Sequence, residues 1–159
     1  MNEVLERLKA LGIQYELEEH EAVFTIEQII SLGLNARGMI PVNLFLRDAA
    51  GKRHFLVIHD GEKHTDMKLL RGQIGCSRLS FGSDERLMKH LGLTRGAVSP
   101  FGLINNANHD VELVIDESIR GRGKLGFHPN VNTATVWLSW DGFMKFVESC
   151  GNPVKYVEC

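Results

Sequence analysis

Apolar residues recur along the chain with two different spacings, and the spacing sets the elements it predicts. Near the start, Val4, Leu5, Leu8 and Leu11 fall on one stripe of a helix that Asn2 can cap and Gly12 stops. Ile13, Tyr15 and Leu17 then alternate with polar residues up to Glu18, the period of a half-buried strand. Thr25, with Gln28 three positions on, forms a capping box that starts a helix carrying Ile26, Ile29 and Ile30. Pro41 leads into a strongly apolar strand, Val42 to Arg47. Asp48-Ala49-Ala50-Gly51 is a turn of hairpin length, and the return strand runs from His54 to His59.

The second half continues in the same short units. A helix is predicted around Asp66 to Arg71, ending before Gly72, then a brief strand at Arg78 to Phe81. Ser83 caps a helix through Glu85, Leu87, Met88 and Leu91 that Gly92 closes. Thr94 to Pro100 reads as a turn-rich loop. Phe101 to Asn105 and Val111 to Asp116 read as strands around the polar turn Asn106-Ala107-Asn108-His109. Thr133 to Leu138 is another strand. Ser139 caps a last helix that turns Phe143, Phe146 and Val147 inward, and Val154 to Val157 closes as a strand. No repeat, linker or low-complexity segment interrupts the pattern. Strands outnumber helices and many are joined by short turns. The expectation is one α+β domain over residues 1–159, with a mixed, strongly curved sheet.

Composition adds limits. A chain of 159 residues buries roughly two-thirds of its unfolded surface, so it needs neither metal nor disulfide to fold. Apolar residues at 43% and charged residues at 24% are ordinary for a globular domain. The net charge of −2 excludes a strongly basic nucleic-acid module. An RNA partner would have to be met through a local patch or through shape. Cys76, Cys150 and Cys159 form no CxxC pair, and their odd count and wide spacing fit reduced thiols and the cytoplasm. The N-terminus lacks a basic segment followed by an apolar run, so no signal peptide is expected, and no stretch approaches the ~18 apolar residues of a membrane span.

Two constellations invite chemistry. His54, His59 and His64 recur every five residues, but an odd offset on a strand puts His54 and His59 on opposite faces, and His64 falls in a polar turn. No metal is expected there. Arg120, Arg122 and Lys124, interleaved with glycines, form the compact basic run of the chain. It reads either as a contact for RNA phosphates or as a solvated loop. Trp137 and Trp140 could stack a base, though Trp137 sits in an apolar strand and reads as core.

Four stretches occur in order: Asn43-Leu44-Phe45-Leu46-Arg47-Asp48, then Arg78-Leu79-Ser80-Phe81-Gly82 with Glu85-Arg86-Leu87, then Gly96-Ala97-Val98-Ser99-Pro100-Phe101-Gly102-Leu103-Ile104-Asn105, then Phe127-His128-Pro129 with Asn132-Thr133-Ala134-Thr135. From about His20 to the last helix the chain resembles the YbaK/prolyl-tRNA-synthetase-associated editing domain family, in its stand-alone ProX/PrdX-like branch. The resemblance implies a barrel-like mixed sheet surrounded by helices. It implies hydrolysis of the ester between a wrong amino acid and tRNA, most often alanine on proline tRNA, with no cofactor. The implied partners are the acceptor end of mischarged tRNA and prolyl-tRNA synthetase. A proline pocket cannot strongly reject a smaller amino acid, because a missing methylene is worth only about 1–3 kcal/mol; a second, hydrolytic site supplies the discrimination.

The resemblance also implies a site. Gly96 and Pro100 match the family's GxxxP loop. Gly96 would let backbone approach a ligand or adopt positive φ, and the loop could aim N–H groups at an ester carbonyl as an oxyanion hole does. His128 matches a pocket histidine that can orient water, and Asn43 a site asparagine that can hold substrate. Asn43, Gly96 and His128 are thus the expected catalytic positions. Phe24, Val42, Ser99, Pro100, Phe101 and Gly102 are expected around the substrate, with Arg120, Arg122 and Lys124 towards the tRNA. One departure stands out. Where the family motif carries a lysine before Asn-Leu-Phe-Leu, this chain has Val42, which can neither neutralise an anion nor donate a hydrogen bond. Lys124 could take its place. Backbone donors and the substrate's own hydroxyl could suffice. Or the chain could bind without turnover.

Overall fold

The computed structural model describes residues 1–61 and 65–159, with the side chains of Ile26 and Asn35 left aside. Five helices and eight strands carry the fold: α1 (Asn2–Ala10), β1 (Glu16–Glu19), α2 (Ile26–Ser31), β2 (Val42–Arg47), β3 (His54–His59), α3 (Met67–Ile74), β4 (Ser80–Phe81), α4 (Asp84–Leu91), β5 (Val111–Asp116), β6 (Lys124–Phe127), β7 (Ala134–Ser139), α5 (Trp140–Cys150) and β8 (Val154–Val157). The strands form two sheets rather than one closed barrel. The larger is mixed, in the order β4-β2-β3-β5-β8, and the smaller is antiparallel, β1-β7-β6. β3 pairs β5 and β5 pairs β8 in parallel, which demands long crossovers and explains why helices separate them.

Alternation along the strands assigns the faces. In β3, Leu56 and Ile58 enter one core while Phe55 and Val57 enter another, and every residue of the strand is buried. The first core lies between the two sheets with α1, α4 and α5; it takes Leu113 and Ile115 from β5, Leu125 and Phe127 from β6, and Phe143 and Phe146 from α5. The second lies under α3, which contributes Leu70 and Ile74. Each fully buried Leu, Ile or Phe contributes about 1.5–3 kcal/mol, so the double-faced β3 anchors the domain.

A strap joins the sheets. Met39 donates its N–H to Lys124 O at 3.0 Å and accepts from Gly126 N at 2.8 Å, then the chain enters β2. Gly38 is required for this crossing: a Cβ there would lie 2.7 Å from Lys124 O. The strap, β2 and β6 therefore converge at one point, beside which the site opens.

The capping box at Thr25 and Gln28 forms, and Ser83 and Ser139 cap α4 and α5 as expected. Other expectations change: β1 spans Glu16–Glu19 rather than starting at Ile13, and β4 is only Ser80–Phe81. Met1 rather than Asn2 occupies the cap position of α1, without a side-chain bond. α3 runs past Gly72 to Gly75, whose left-handed backbone (φ 77) closes it. Pro100–Asn105 is a 3-10 helix, not a strand, because Ser99 Oγ accepts from Phe101 N and Pro100 pre-sets the first turn. Lys124–Phe127 is a strand that no alternation announced; its pairing with β7 and the strap supplies the hydrogen bonds.

Candidate active site

A cavity of about 570 Å³ lies between the start of β2, the turn after β3, the 95–98 loop and the end of β6, roofed by α2. Val42 and Asn43 form one wall, Gly96 and Val98 another, and Phe127, His128 and Thr135 a third. Phe24 and Ile30 stand at the rim, 69% and 58% exposed. The volume is in the usual range for a small-molecule site, and the lining is mainly apolar with a few convergent polar groups.

His128 is the half-buried imidazole of this cavity. Its Nδ1 lies 3.0 Å from Ala134 O. A carbonyl can only accept, so Nδ1 carries the proton and Nε2 keeps its lone pair. Nε2 has no partner among the described residues. Burial pushes the His128 pKa below the ordinary histidine value, with His20 nearby adding to the effect and the Ala134 bond opposing it. The ring is therefore neutral at neutral pH. His20, 6.3 Å away between ring centroids, is itself tied to Thr135 Oγ1 at 2.8 Å.

Asn43 is held by Nδ2 donating to Pro41 O at 3.3 Å. Its Oδ1 is buried with no partner among the described residues. A buried acceptor of that kind is costly unless something donates to it. Gly96 lines the cavity, and of the two freedoms expected of it the positive φ is not used. A Cβ there would lie 2.9 Å from the Phe24 ring and 3.3 Å from Asn132 Nδ2. The glycine lets Phe24 lie against the loop at the cavity rim.

The remaining expected positions separate. Ser99, Pro100, Phe101 and Gly102 are buried beneath the loop and do not line the cavity. Within the loop, Ala97 N bonds Thr94 O, Phe101 N bonds Ser99 Oγ and Gly102 N bonds Ser99 O. Of the basic run, Arg122 lines the cavity. Arg120 pairs with Glu117 and stacks over Tyr156, 4.3 Å from the ring centre. Lys124 Nζ is 2.9 Å from Glu16 Oε1, and Lys124 is not among the residues that line the cavity. Trp137 is core, 1% exposed.

Asp60 and Gly61 are cavity residues that no motif pointed to. Register could have found them: Val42 pairs His59, so the next two residues must turn beside Val42. His59 is locally satisfied, Nδ1 near Asp60 O at 2.8 Å and Nε2 near Thr65 Oγ1 at 2.8 Å. His54 lies at the other end of β3, and His64 lies outside the described residues. Among the described residues no cluster of His, Cys, Asp or Glu could hold a metal ion.

Residues 20–146 match the family described as the aminoacyl-tRNA editing domain. The chain belongs to that family. It is 44% identical over 155 residues to the prolyl-tRNA editing protein ProX of Acetoanaerobium sticklandii, covering 98% of this chain and 94% of that one. It is 32% identical to the prolyl-tRNA synthetase associated domain-containing protein 1 of Bos taurus, over 92% of this chain and 88% of that one. The crystal structure of hypothetical protein APE2540 superposes with a TM-score of 0.75 at 22% identity, over 97% of each chain, and shares the fold. The two share one fold over nearly the whole chain. No helix among the described residues is long and apolar enough to cross a membrane.

Proposed function

We infer that this protein is a cytoplasmic hydrolase that removes a wrong amino acid from tRNA in trans, with alanine on proline tRNA as the leading substrate. The observation that carries the reading is the cavity itself, where Asn43, Gly96 and a neutral His128 converge. Family membership supplies the reaction class. The aminoacyl ester enters with its amino acid between Val42, Asn43 and Val98. Asn43 Oδ1 accepts from the substrate's ammonium, which satisfies the buried acceptor. His128 Nε2 accepts from a water that attacks the ester carbonyl. The C–O bond to the terminal ribose breaks, the ribose oxygen takes the proton, and free amino acid leaves. A positioned acid–base group of this kind is worth about 10²–10⁴ in rate.

The test is a deacylation panel on proline tRNA mischarged with alanine, serine or cysteine, beside correctly charged prolyl-tRNA. Release of alanine well above buffer, with prolyl-tRNA spared, is the expected result. No release from any substrate would end the enzymatic reading.

A second reading has one observation behind it. Val42 places an apolar side chain on the cavity wall where the family motif carries lysine. A binding protein without turnover would show tRNA binding, a near-zero rate, and a large gain of deacylation in Val42→Lys.

A further inference from the structure

Arg122 is fixed more firmly than a surface arginine needs to be. It follows the 3-10 turn Glu117–Ile119, with its backbone N–H on Ile119 O at 3.2 Å. Its Nε donates to Ser118 O at 3.2 Å and its Nη2 to Asp60 Oδ2 at 3.2 Å. Asp60 is in turn anchored, its backbone N–H donating to Asp116 Oδ2 at 3.2 Å, while Asp116 is fully buried and accepts from Ser118 N and Oγ. Two elements thus aim one guanidinium. Its Nη1 has no partner among the described residues.

The place it is aimed at matters. Arg122 lines the cavity and also the neighbouring cleft between Tyr15, Trp137 and Trp140, so it stands on the ridge between the two. The Asp60-Gly61 corner leans on Val42: a Cβ on Gly61 would lie 3.2 Å from Val42 Cγ2. The other arginine at the cavity, Arg95, has its side chain 84% exposed and is paired with Asp84. The Arg122 side chain is 48% exposed and that of Asp60 12%. The walls around it are apolar and His128 is neutral. Charge interactions are stronger beside such walls than in open water.

We propose that Arg122 is a cation of this site, donating to an anionic oxygen of the bound substrate, with Asp60 as its positioning residue. This rests on the tRNA reading above. A guanidinium has five N–H donors in a planar fork, and two already serve to hold it, so three remain for a phosphate or for the oxygen of the ester carbonyl as charge develops. The phosphate is the favoured partner, because Arg122 stands half-exposed on the ridge between the cavity and the neighbouring cleft, within reach of a nucleotide strand that leaves the cavity on that side.

Two measurements on the intact chain separate the sources. The first is equilibrium binding of an uncharged RNA minihelix ending in CCA, across a salt series. The second is steady-state hydrolysis of alanyl-tRNA. If Arg122 holds a phosphate, Arg122→Gln weakens minihelix binding about 10- to 100-fold and leaves kcat in place, and the slope of log K against log salt becomes shallower by about 0.7. If it meets the carbonyl oxygen, binding stays within twofold and kcat falls about 10- to 100-fold. Arg122→Lys restores part of either loss, and Asp60→Asn shows a weaker version of the same phenotype. The proposal is overturned if Arg122→Gln melts like the wild type and changes neither binding nor kcat by more than twofold. It is also overturned if losses only track a lowered melting temperature and lysine restores none of them. A wild type that hydrolyses nothing removes the deacylase reading, while the binding arm still decides the role of Arg122.

Discussion

Burial lowers the pKa of His54, His90 and His128, and of the two that lie farthest apart in setting, His128 faces a cavity and His54 does not. His128 uses Nδ1 on the Ala134 carbonyl and leaves Nε2 unpartnered on the cavity wall. His54, at the far end of β3, is packed between Phe45, stacked at 5.7 Å, and His90, 4.0 Å between ring centroids. Its Nε2 accepts from Arg86 Nη1 at 3.0 Å, and Arg86 also donates to Gly51 O at 3.0 Å. Burial, then the neighbouring His90 and Arg86, push its pKa down to about 4. A depressed pKa therefore does not mark a site. What distinguishes the two regions is an unpartnered ring nitrogen beside a space that a substrate can fill.

The largest expected effect tests that distinction directly. His128→Ala should lower single-turnover deacylation about 100-fold or more, with little change in the melting temperature. His54→Gln keeps an acceptor for Arg86 and should leave the rate within about twofold. Equal loss of rate in both variants, or in neither, would erase the difference drawn between the two regions.

Acid separates them in a second way. For His54 the folded pKa of about 4 lies below the ordinary 6.5. The unfolded chain then takes up a proton before the folded one does. The stability that neutral His54 contributes is complete above pH 6.5 and is lost as pH falls towards 4. The loss amounts to about 2–3 kcal/mol for this group, at about 1.4 kcal/mol per unit of pKa shift. His90 and His128 are shifted in the same direction and steepen the fall. Denaturant unfolding at intervals between pH 7 and pH 4 measures it, and His54→Gln should flatten the curve. The rate profile of deacylation should show a different feature: activity held below pH 6.5 and lost only when His128 takes up its proton. A profile that breaks above pH 6.5 would rule out neutral His128 as the acceptor.

The sequence was legible where one local rule decided the outcome. β2, β3, β5 and β8 have their expected bounds because apolar residues and turn residues agree there. Phe101–Asn105 misled because Ser99 and Pro100 start a 3-10 turn, a local cap overriding an apolar run. β6 was invisible because its partners, β7 and the Met39 strap, are distant in sequence. The site divided along the same line. Asn43, Val42, Gly96, Phe24 and His128 could be placed by motif, whereas Asp60 and the choice of Arg122 over Lys124 depend on hairpin register and on which carboxylate each cation meets. Ser99 to Gly102 belong to the motif yet lie under the loop, so shared motif membership did not mean shared access to the cavity.

The smallest effect concerns how the loop and the rim fit together. Gly96 has no positive φ to protect, so its role rests on the contact that a Cβ would make with the Phe24 ring at 2.9 Å. Phe24 is 69% exposed, and its ring can swing outward at little cost to the fold. Gly96→Ala should therefore change the melting temperature hardly at all, while deacylation falls about fivefold as the rim is displaced. Phe24→Leu removes the ring edge that the new methyl would strike. In that background Gly96→Ala should cost less than it does alone, the non-additive outcome expected of residues in contact. Additive losses in the double variant would mean that Gly96 serves the substrate directly, and the 95–98 loop would then join His128 among the groups that meet the ester.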